Sequence, residues 1–378
     1  MRHQKRSVCV FVLLLAQLVI SDKADDCKTD VCNLPECRCS SATSPFGSDI
    51  DNYPQLIGLA FDEAVTDELY TNRWAPLLLD ADRVNPDGAG ISATFFVPHE
   101  YTDYRRVNDL YNFGMEIAVH SITKNSEQSY WRTASEDVLV AEFQGQKQII
   151  TKYANIPSEA IVGARTPQLQ LAGDNSIKAY VTAELSYDSS WPSLPSSRFF
   201  PYTLDYASTQ ACLLGAECPT GSFPGFWILP INDLQSSDGT GCNNLASCDI
   251  SGSADDIANW LTDQIEQVRT TTKTPMTLSI DSYWFNFTSN SFEGLTKFMS
   301  NMKDKSDVFF VSQKQILDFI KNPVPISEFN SDNTPSDPAN CHEQKCQLKK
   351  GNEDRNMISC VQCPAVYPWL NDPDGNGS

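Results

Sequence analysis

The feature that most restricts the fold of this chain is a regular alternation of two hydrophobic patterns between residues 50 and 325. Runs dominated by β-branched and aromatic residues occur at 55–64 ("QLIGLAFDEA"), 90–98 ("GISATFFVP"), 115–123 ("MEIAVHSIT"), 160–166 ("AIVGART"), 185–190 ("LSYDSS"), 225–232 ("GFWILPIN"), 276–285 ("MTLSIDSYWF") and 307–313 ("DVFFVSQ"). Turn residues bound each run, so each reads as a strand. Between them, "TASEDVLVAEFQGQKQIITKYA", "SADDIANWLTDQIEQVR" and "SQKQILDFIK" repeat apolar residues at spacings of three and four, the period of a helix. The first of these opens on Thr133 and Glu136, spaced as a capping box. Strands alternating with helices require parallel pairing with crossover connections, and this number of repeats implies an α/β fold of the (β/α) barrel kind. Residues 192–223 and 233–252 break the rhythm as long, turn-rich segments, and loops of that length tend to build binding surfaces.

The ends of the chain have a different character. Arg2, Lys5 and Arg6 precede the apolar run "VCVFVLLLAQLVI", which is shorter than the ~20 residues a bilayer span needs. Residues 1–21 therefore read as a secretory signal peptide, and no later stretch reads as a membrane segment. Cys9 leaves with that peptide, and the remaining twelve of thirteen cysteines are an even set. In an oxidising compartment Cys27, Cys32, Cys37, Cys39, Cys212, Cys218, Cys242, Cys248, Cys341, Cys346, Cys360 and Cys363 imply six disulfides. The "C-x-C" at Cys37 and "C-x-x-C" at Cys360 are compatible with zinc, but secretion favours disulfides. Cys212–Cys218 and Cys242–Cys248 are expected as local bridges. The terminal cysteines are expected to pair among themselves and tie leader to tail. The resulting division is a cysteine-rich leader over 22–49, the barrel over 50–325, and a linker with a cysteine-rich tail over 326–378. A formal charge of −20 excludes nucleic acid and anionic membrane as partners and allows a neutral polymer.

In a barrel, chemistry gathers where the strands end. Those ends carry Asp62 and Glu63, His120 through Lys124, Arg165 through Gln170, Tyr187 through Trp191, and Asp281 through Trp284. Adjacent carboxylates with a histidine and an arginine in reach are the components of a metal site or of acid–base catalysis.

In order and spacing, "FDEA", "HSITK", "RTPQLQ", "YDSSW" and "LSIDSYW" resemble the five motifs of the polysaccharide deacetylases, carbohydrate esterase family 4. The stretch "YDSSWPS…FFPYTLDY…ACLLGAECPTGSFPGFWILPIN" resembles the insect chitin deacetylases, in particular a group without a separate chitin-binding module that is associated with the gut peritrophic matrix. The resemblance spans residues 50–325 and extends into the leader at "LPECRCS". It implies a distorted (β/α) barrel of the polysaccharide deacetylase type with disulfide-bonded extensions. It also implies a divalent metal, usually zinc, held by an Asp and two His, with an Asp as general base, an Arg steering it, and a His as general acid. Carried over residue by residue, Asp62 is the base position and Arg165 its partner. Glu63 stands at the metal-Asp position, one methylene longer, and His120 at the first metal-His position. Lys124 replaces the second metal His, and Asp281 replaces the general-acid His. Gln168 replaces the usual aromatic residue whose backbone N–H helps to hold the oxyanion.

Two of these departures are chemically severe. A lysine ammonium has donors only, and an aspartate ionised at neutral pH is a poor proton donor. Glu63 and His120 alone fall short of the three protein ligands of a catalytic zinc. The expectation is that the Lys124 ammonium stands in for the metal among Asp62, Glu63 and Asp281, so no cofactor is favoured. Asp188, Trp191, Trp227, Trp284 and Tyr202 are expected to line a glycan groove, since a flat ring can face a sugar's apolar side. Asn286, in Asn286–Phe287–Thr288, is a glycosylation acceptor. The function implied is a secreted protein that binds chitin or chitin oligosaccharides in an extracellular, peritrophic matrix, with deacetylase activity lost or very weak. The alternative is a zinc-dependent chitin N-deacetylase.

Overall fold

The computed structural model describes residues 23–215 and 217–377; the expected signal peptide lies outside them. The main sheet has nine strands. They are β1 (Gln55–Phe61), β2 (Thr94–Val97), β3 (Glu116–Val119), β4 (Gly163–Ala164), β5 (Tyr187–Asp188), β6 (Tyr202–Leu204), β7 (Phe223–Ile228), β8 (Met276–Ile280) and β9 (Val308–Val311). Their order is β8-β1-β2-β3-β4-β5-β7-β6, with β9 also on β1. These pairs are parallel except β6 on β7, which is antiparallel.

Strand β1 is the hub. One edge pairs with β8 from Ile57 opposite Met276 to Phe61 opposite Ile280. The other edge is shared: Gln55–Gly58 pair with β9, and Ala60 and Phe61 with β2. That split departs from a regular barrel. At the far side, Asn232 Nδ2 donates to the carbonyls of Phe199 and Pro275, each at 3.0 Å, and draws the loop beyond β7 against the start of β8.

All seven residues of β1 are buried because both faces are covered. Ile57, Leu59 and Phe61 join the large core beneath the helices, together with Phe95, Val97, Ile117 and Val119. Leu56 and Ala60 face the barrel interior with Phe96, Ala118, Tyr187 and Trp227. The period of two thus separates an outer core from an inner one.

Seven helices matter for the argument: α1 (Tyr104–Asn112), α2 (Glu136–Tyr153), α3 (Asp174–Thr182), α4 (Ala254–Arg269), α5 (Ser282–Phe287), α6 (Ser291–Lys303) and α7 (Gln313–Lys321). Capping boxes at Ser253/Asp256 and Ser312/Gln315 start α4 and α7. The box expected at Thr133 and Glu136 does not form. The Thr133 hydroxyl donates back to the Ser129 carbonyl at 2.7 Å, closing the preceding turn, and α2 begins after Ser135 without a side-chain cap. The strand expected over 276–285 stops at Ile280, because the Asp281 carboxylate accepts from Trp284 N at 3.1 Å and starts α5.

Six disulfides form, including Cys212–Cys218 and Cys242–Cys248. The expected leader-to-tail cross-link does not. Cys27–Cys39 and Cys32–Cys37 close the leader on itself, and Cys341–Cys360 and Cys346–Cys363 close the tail. Each end docks on a different part of the barrel instead. Arg38 of the leader is buried 5.3 Å above the Phe200 ring and donates to the Pro201 carbonyl at 2.9 Å. The tail hairpin, β10 (Gln344–Lys350) and β11 (Glu353–Ser359), runs into Cys360, whose N–H meets the Tyr153 carbonyl of α2 at 2.8 Å. The segment between barrel and tail is docked too: Ser331 is buried, accepting from Asn85 Nδ2 and donating to Asp87, each at 2.9 Å. Among the described residues no helix is long and apolar enough to cross a membrane.

The inner core has one position that only glycine can hold. A Cβ on Gly163 would lie 2.2 Å from Tyr187 Cζ, whose ring crosses the interior to donate its hydroxyl to the buried Glu116 at 2.6 Å. Gly163→Ala is therefore expected to destabilise the fold by about 1–3 kcal/mol through overpacking, and Tyr187→Phe by about 1–3 kcal/mol through the donor lost to Glu116. Chemical denaturation measures both; stabilities equal to wild type would contradict this packing.

Candidate functional site

The ends of β1, β3, β4 and β8 bring Asp62, Glu63, His120, Lys124, Arg165 and Asp281 together. Arg165 is fully buried. Its Nε donates to the Ser189 carbonyl at 2.8 Å, Nη1 to Ser279 Oγ and Nη2 to Ser189 Oγ, both at 3.1 Å. The guanidinium lies 4.3 Å over the Phe96 ring, and Nη1 is 3.8 Å from Asp62 Oδ2. Burial lowers the Arg165 pKa and Asp62 opposes the shift. Burial would raise the Asp62 carboxyl, but the Lys124 and Arg165 charges, with a backbone hydrogen bond, outweigh it and hold it below the usual carboxylate range.

The His120 ring is buried, and its Nδ1 lies 2.8 Å from the Arg165 carbonyl oxygen. A carbonyl only accepts, so Nδ1 carries the proton. Burial depresses the ring's pKa to about 3 against the pull of Asp62, so the imidazole is neutral and its Nε2 keeps a lone pair.

Glu63 is engaged elsewhere. Its Oε1 accepts from Ser282 N at 2.8 Å and its Oε2 from Ser282 Oγ at 2.6 Å. The extra methylene relative to aspartate lets the carboxylate reach the first residue of α5. Burial pushes its pKa up to about 7; the Ser282 hydroxyl and Lys124 oppose this, and Asp62 and Asp281 add to it. Asp281 itself is raised, by burial first and by Asp62, although its bonds to α5 backbone N–H groups and the Lys124 charge pull the other way.

Lys124 does reach the site, but not as expected. Its Nζ donates to the backbone carbonyl of Asp62 at 2.6 Å from an exposed side chain. Among the described residues it makes no ion pair with Asp62, Glu63 or Asp281, so the picture of an ammonium seated between carboxylates is corrected. The cause is the loop. Lys124 takes a left-handed backbone, φ 43°, and Glu142 pins the preceding residues. The Glu142 carboxylate accepts from Ile122 N at 3.0 Å, Thr123 N at 2.9 Å, Thr123 Oγ1 at 2.6 Å and Tyr130 Oη at 2.7 Å. The charge still acts through space, lowering the pKa values of Asp62, Glu63 and Asp281.

These residues do not fit a divalent metal. Lys124 offers only donors where a third ligand is needed, and the Glu63 carboxylate is oriented by Ser282 of α5 through one hydrogen bond to each oxygen. Among the described residues, the one group of three His, Cys, Asp or Glu ligand atoms within 4.8 Å of one another is Cys27, Cys32 and Cys39, all in disulfides.

The expected glycan-lining residues are corrected as well. Trp191, Trp227, Trp284 and Tyr202 are buried and have no free ring face. Trp191 packs beside Tyr202 and donates to the Ala211 carbonyl at 3.2 Å, beneath the long loop; Trp227 faces the inner core. Asp188 is buried with its carboxylate accepting from Ser190 N at 3.0 Å and Ser190 Oγ at 2.6 Å; burial raises it to about 6 despite those bonds. Gln168 is left-handed, φ 55°, and donates through Nε2 to the Ser126 carbonyl at 2.7 Å across the mouth. Asn286 is exposed on α5. Sequence reasoning missed Glu142 and Ser282. A carboxylate on the apolar face of α2, between Leu139 and Phe143, is a readable signal for Glu142; nothing marks Ser282.

A largely parallel α/β sheet with this set at its strand ends is the arrangement expected from the resemblance to the polysaccharide deacetylases, carbohydrate esterase family 4. Comparison with known proteins narrows the class. The chain is 31% identical over 383 residues to chitin deacetylase 8 of Bombyx mori, covering 98% of this chain and 100% of the relative. It is 29% identical to chitin deacetylase 1 of Bombyx mori, covering 94% of this chain and 70% of that one. The protein therefore belongs to the chitin deacetylase family. Similar solved structures include a family 4 acetyl xylan esterase from Clostridium thermocellum in complex with a cobalt ion (14% identity, 74% of this chain and 99% of that one, TM-score 0.40). A family 4 pseudoenzyme from Bacillus anthracis is another (14% identity, 70% of this chain and 66% of that one, TM-score 0.37). A scan of protein-family models finds no match.

The Glu63 environment gives a pH dependence with a defined sign. Its folded pKa, about 7, is above its ordinary value of 4.5, so its contribution to stability is complete below pH 4.5 and is lost as pH rises through about 7. The melting temperature is expected to fall across that window, and Glu63→Gln to flatten the fall. Parallel pH profiles for the two proteins would contradict the assignment.

Proposed function

We propose that this protein is an extracellular, chitin-binding member of its family whose deacetylase activity is lost or very weak, acting in a chitin matrix such as the peritrophic matrix of the gut. The observation that carries the proposal is a set of three hydrogen bonds at the end of β1. Lys124 donates to the Asp62 carbonyl where a metal-binding histidine belongs, and Ser282 holds both oxygens of Glu63. Amide hydrolysis at neutral pH needs a polarised carbonyl, an activated water and a proton for the leaving amine. Here Asp62 is ionised and placed to act as a base, steered by Arg165. No imidazole stands at the general-acid position, because Asp281 occupies it and caps α5. Family membership supports chitin as the partner, the acidic charge supports a neutral polymer, and six disulfides support an extracellular site.

One observation favours the second reading, a zinc-dependent chitin N-deacetylase. The His120 proton is on Nδ1, which leaves Nε2 free as a ligand. Two assays separate the readings. The protein is expected to sediment with colloidal chitin equally with and without chelator, and to release no acetate from chitin oligosaccharides above the buffer rate. Acetate release abolished by both chelator and Asp62→Ala would establish the enzyme. The combined change Glu63→Asp, Lys124→His and Asp281→His restores the metal-binding residue types and the general-acid histidine, and is expected to raise acetate release at least about tenfold if those positions alone account for the loss.

A further inference from the structure

Two adjacent rings that the structure leaves free for a sugar are neither motif tryptophans nor part of the catalytic set. Tyr283 and Phe287 project from α5 with 65% and 78% of their surface exposed. They stack with centroids 5.5 Å apart and planes within 10°. Two large aromatic rings kept side by side in water form a continuous apolar patch, whereas Trp284 on the same helix is buried.

Beside this pair runs a groove of about 330 Å³. Phe287, Thr288 and Ser289 form one wall, and Asp249, Ile250 and Ser251 contribute to the other. That volume is near the lower end of the ~300–1,000 Å³ range of small-ligand sites. The walls are fixed. The disulfide Cys242–Cys248 ends one residue before Asp249, and Asn290 Nδ2 ties the two sides together by donating to the Gly252 carbonyl at 2.9 Å. Little ordering is then left for a ligand to impose.

We infer that the Tyr283–Phe287 pair and this groove form an accessory subsite for an uncharged polysaccharide built of pyranose rings, lying outside the catalytic set. Three features select that occupant. Stacked rings accept the apolar face of a pyranose. The Asp249 carboxylate and the Ser251 and Ser289 hydroxyls supply acceptors and donors for sugar hydroxyl and acetamide groups. An acidic groove without a lysine or arginine among its lining residues, on a chain of formal charge −20, repels polyanions. The patch shares α5 with the candidate site, since Ser282, next to Tyr283 in the chain, is the residue bonded to Glu63. The inference rests on the chitin reading above and specifies where the grip lies.

The test is calorimetric titration of a chitin hexasaccharide into wild type, Tyr283→Ala, Phe287→Ala, Phe287→Trp and Asn286→Gln. Both alanine variants are expected to bind roughly 3- to 10-fold more weakly, with unchanged melting temperature, and Phe287→Trp to bind at least as well as wild type. Wild-type binding with no loss in either alanine variant would overturn the subsite and leave chitin binding standing. Absence of binding by both wild type and Asn286→Gln would overturn the chitin reading and the subsite with it. Sedimentation of a dimer that Phe287→Ala dissolves would assign the patch to a second copy, and binding gained only in Asn286→Gln would assign it to the protein's own glycan; either overturns the inference.

Discussion

The hydrogen bond from the Lys124 ammonium to the Asp62 carbonyl sets the character of this molecule. It joins the loop after β3 to the end of β1, the strand on which three others pair. A carbonyl partner lets the cation stay at the surface while its field reaches Asp62, Glu63 and Asp281. A fully buried ion pair would carry a larger desolvation cost. Arg165 is the complementary case: fully buried, it is anchored by two serines and an aromatic face and needs no close ion pair to remain in place. Two cations of different burial thus balance three carboxylates at one barrel mouth.

Retention and loss at this site follow different physics. Asp62, His120 and Arg165 are held by the fold itself: the Arg165 carbonyl orients His120, and the Arg165 side chain is bonded to residues following β5 and within β8. Changing any of them would disturb packing as well as chemistry. Positions 124 and 281 lie on a loop and at a helix start, where the lysine reaches the Asp62 carbonyl and the aspartate accepts from Trp284 N. Asp281 even gains a role, since it caps α5. Both side chains serve as structural contacts.

How much of this was legible depended on whether a residue's partners are near in sequence. The eight strand positions could be read because each buried run carries its own apolar signal; the caps at Ser253 and Ser312 emerge only from the structure, although their partners lie three residues away. Thr133 misled because its hydroxyl had a competing acceptor four residues back, in Ser129. The disulfide content followed from parity, but the terminal pairing depended on which barrel face each end covers. Of the site, the motif positions were visible through family resemblance. Glu142 and Ser282 were not named, since their partners lie 20 and 219 residues away. The aromatic residues show the limit most clearly. Residue type marked Trp191, Trp227 and Trp284 as sugar contacts, yet tertiary packing buries all three and exposes Tyr283 and Phe287.

The central claim is that a lysine and a committed glutamate leave this barrel mouth without a divalent ion. Isothermal titration of zinc into the purified, disulfide-intact protein at neutral pH addresses it directly, with Lys124→His as the comparison. The account predicts no saturable zinc binding at micromolar concentrations in the wild-type protein, and binding that appears or strengthens in the variant. A stoichiometric wild-type site that His120→Ala abolishes would contradict it.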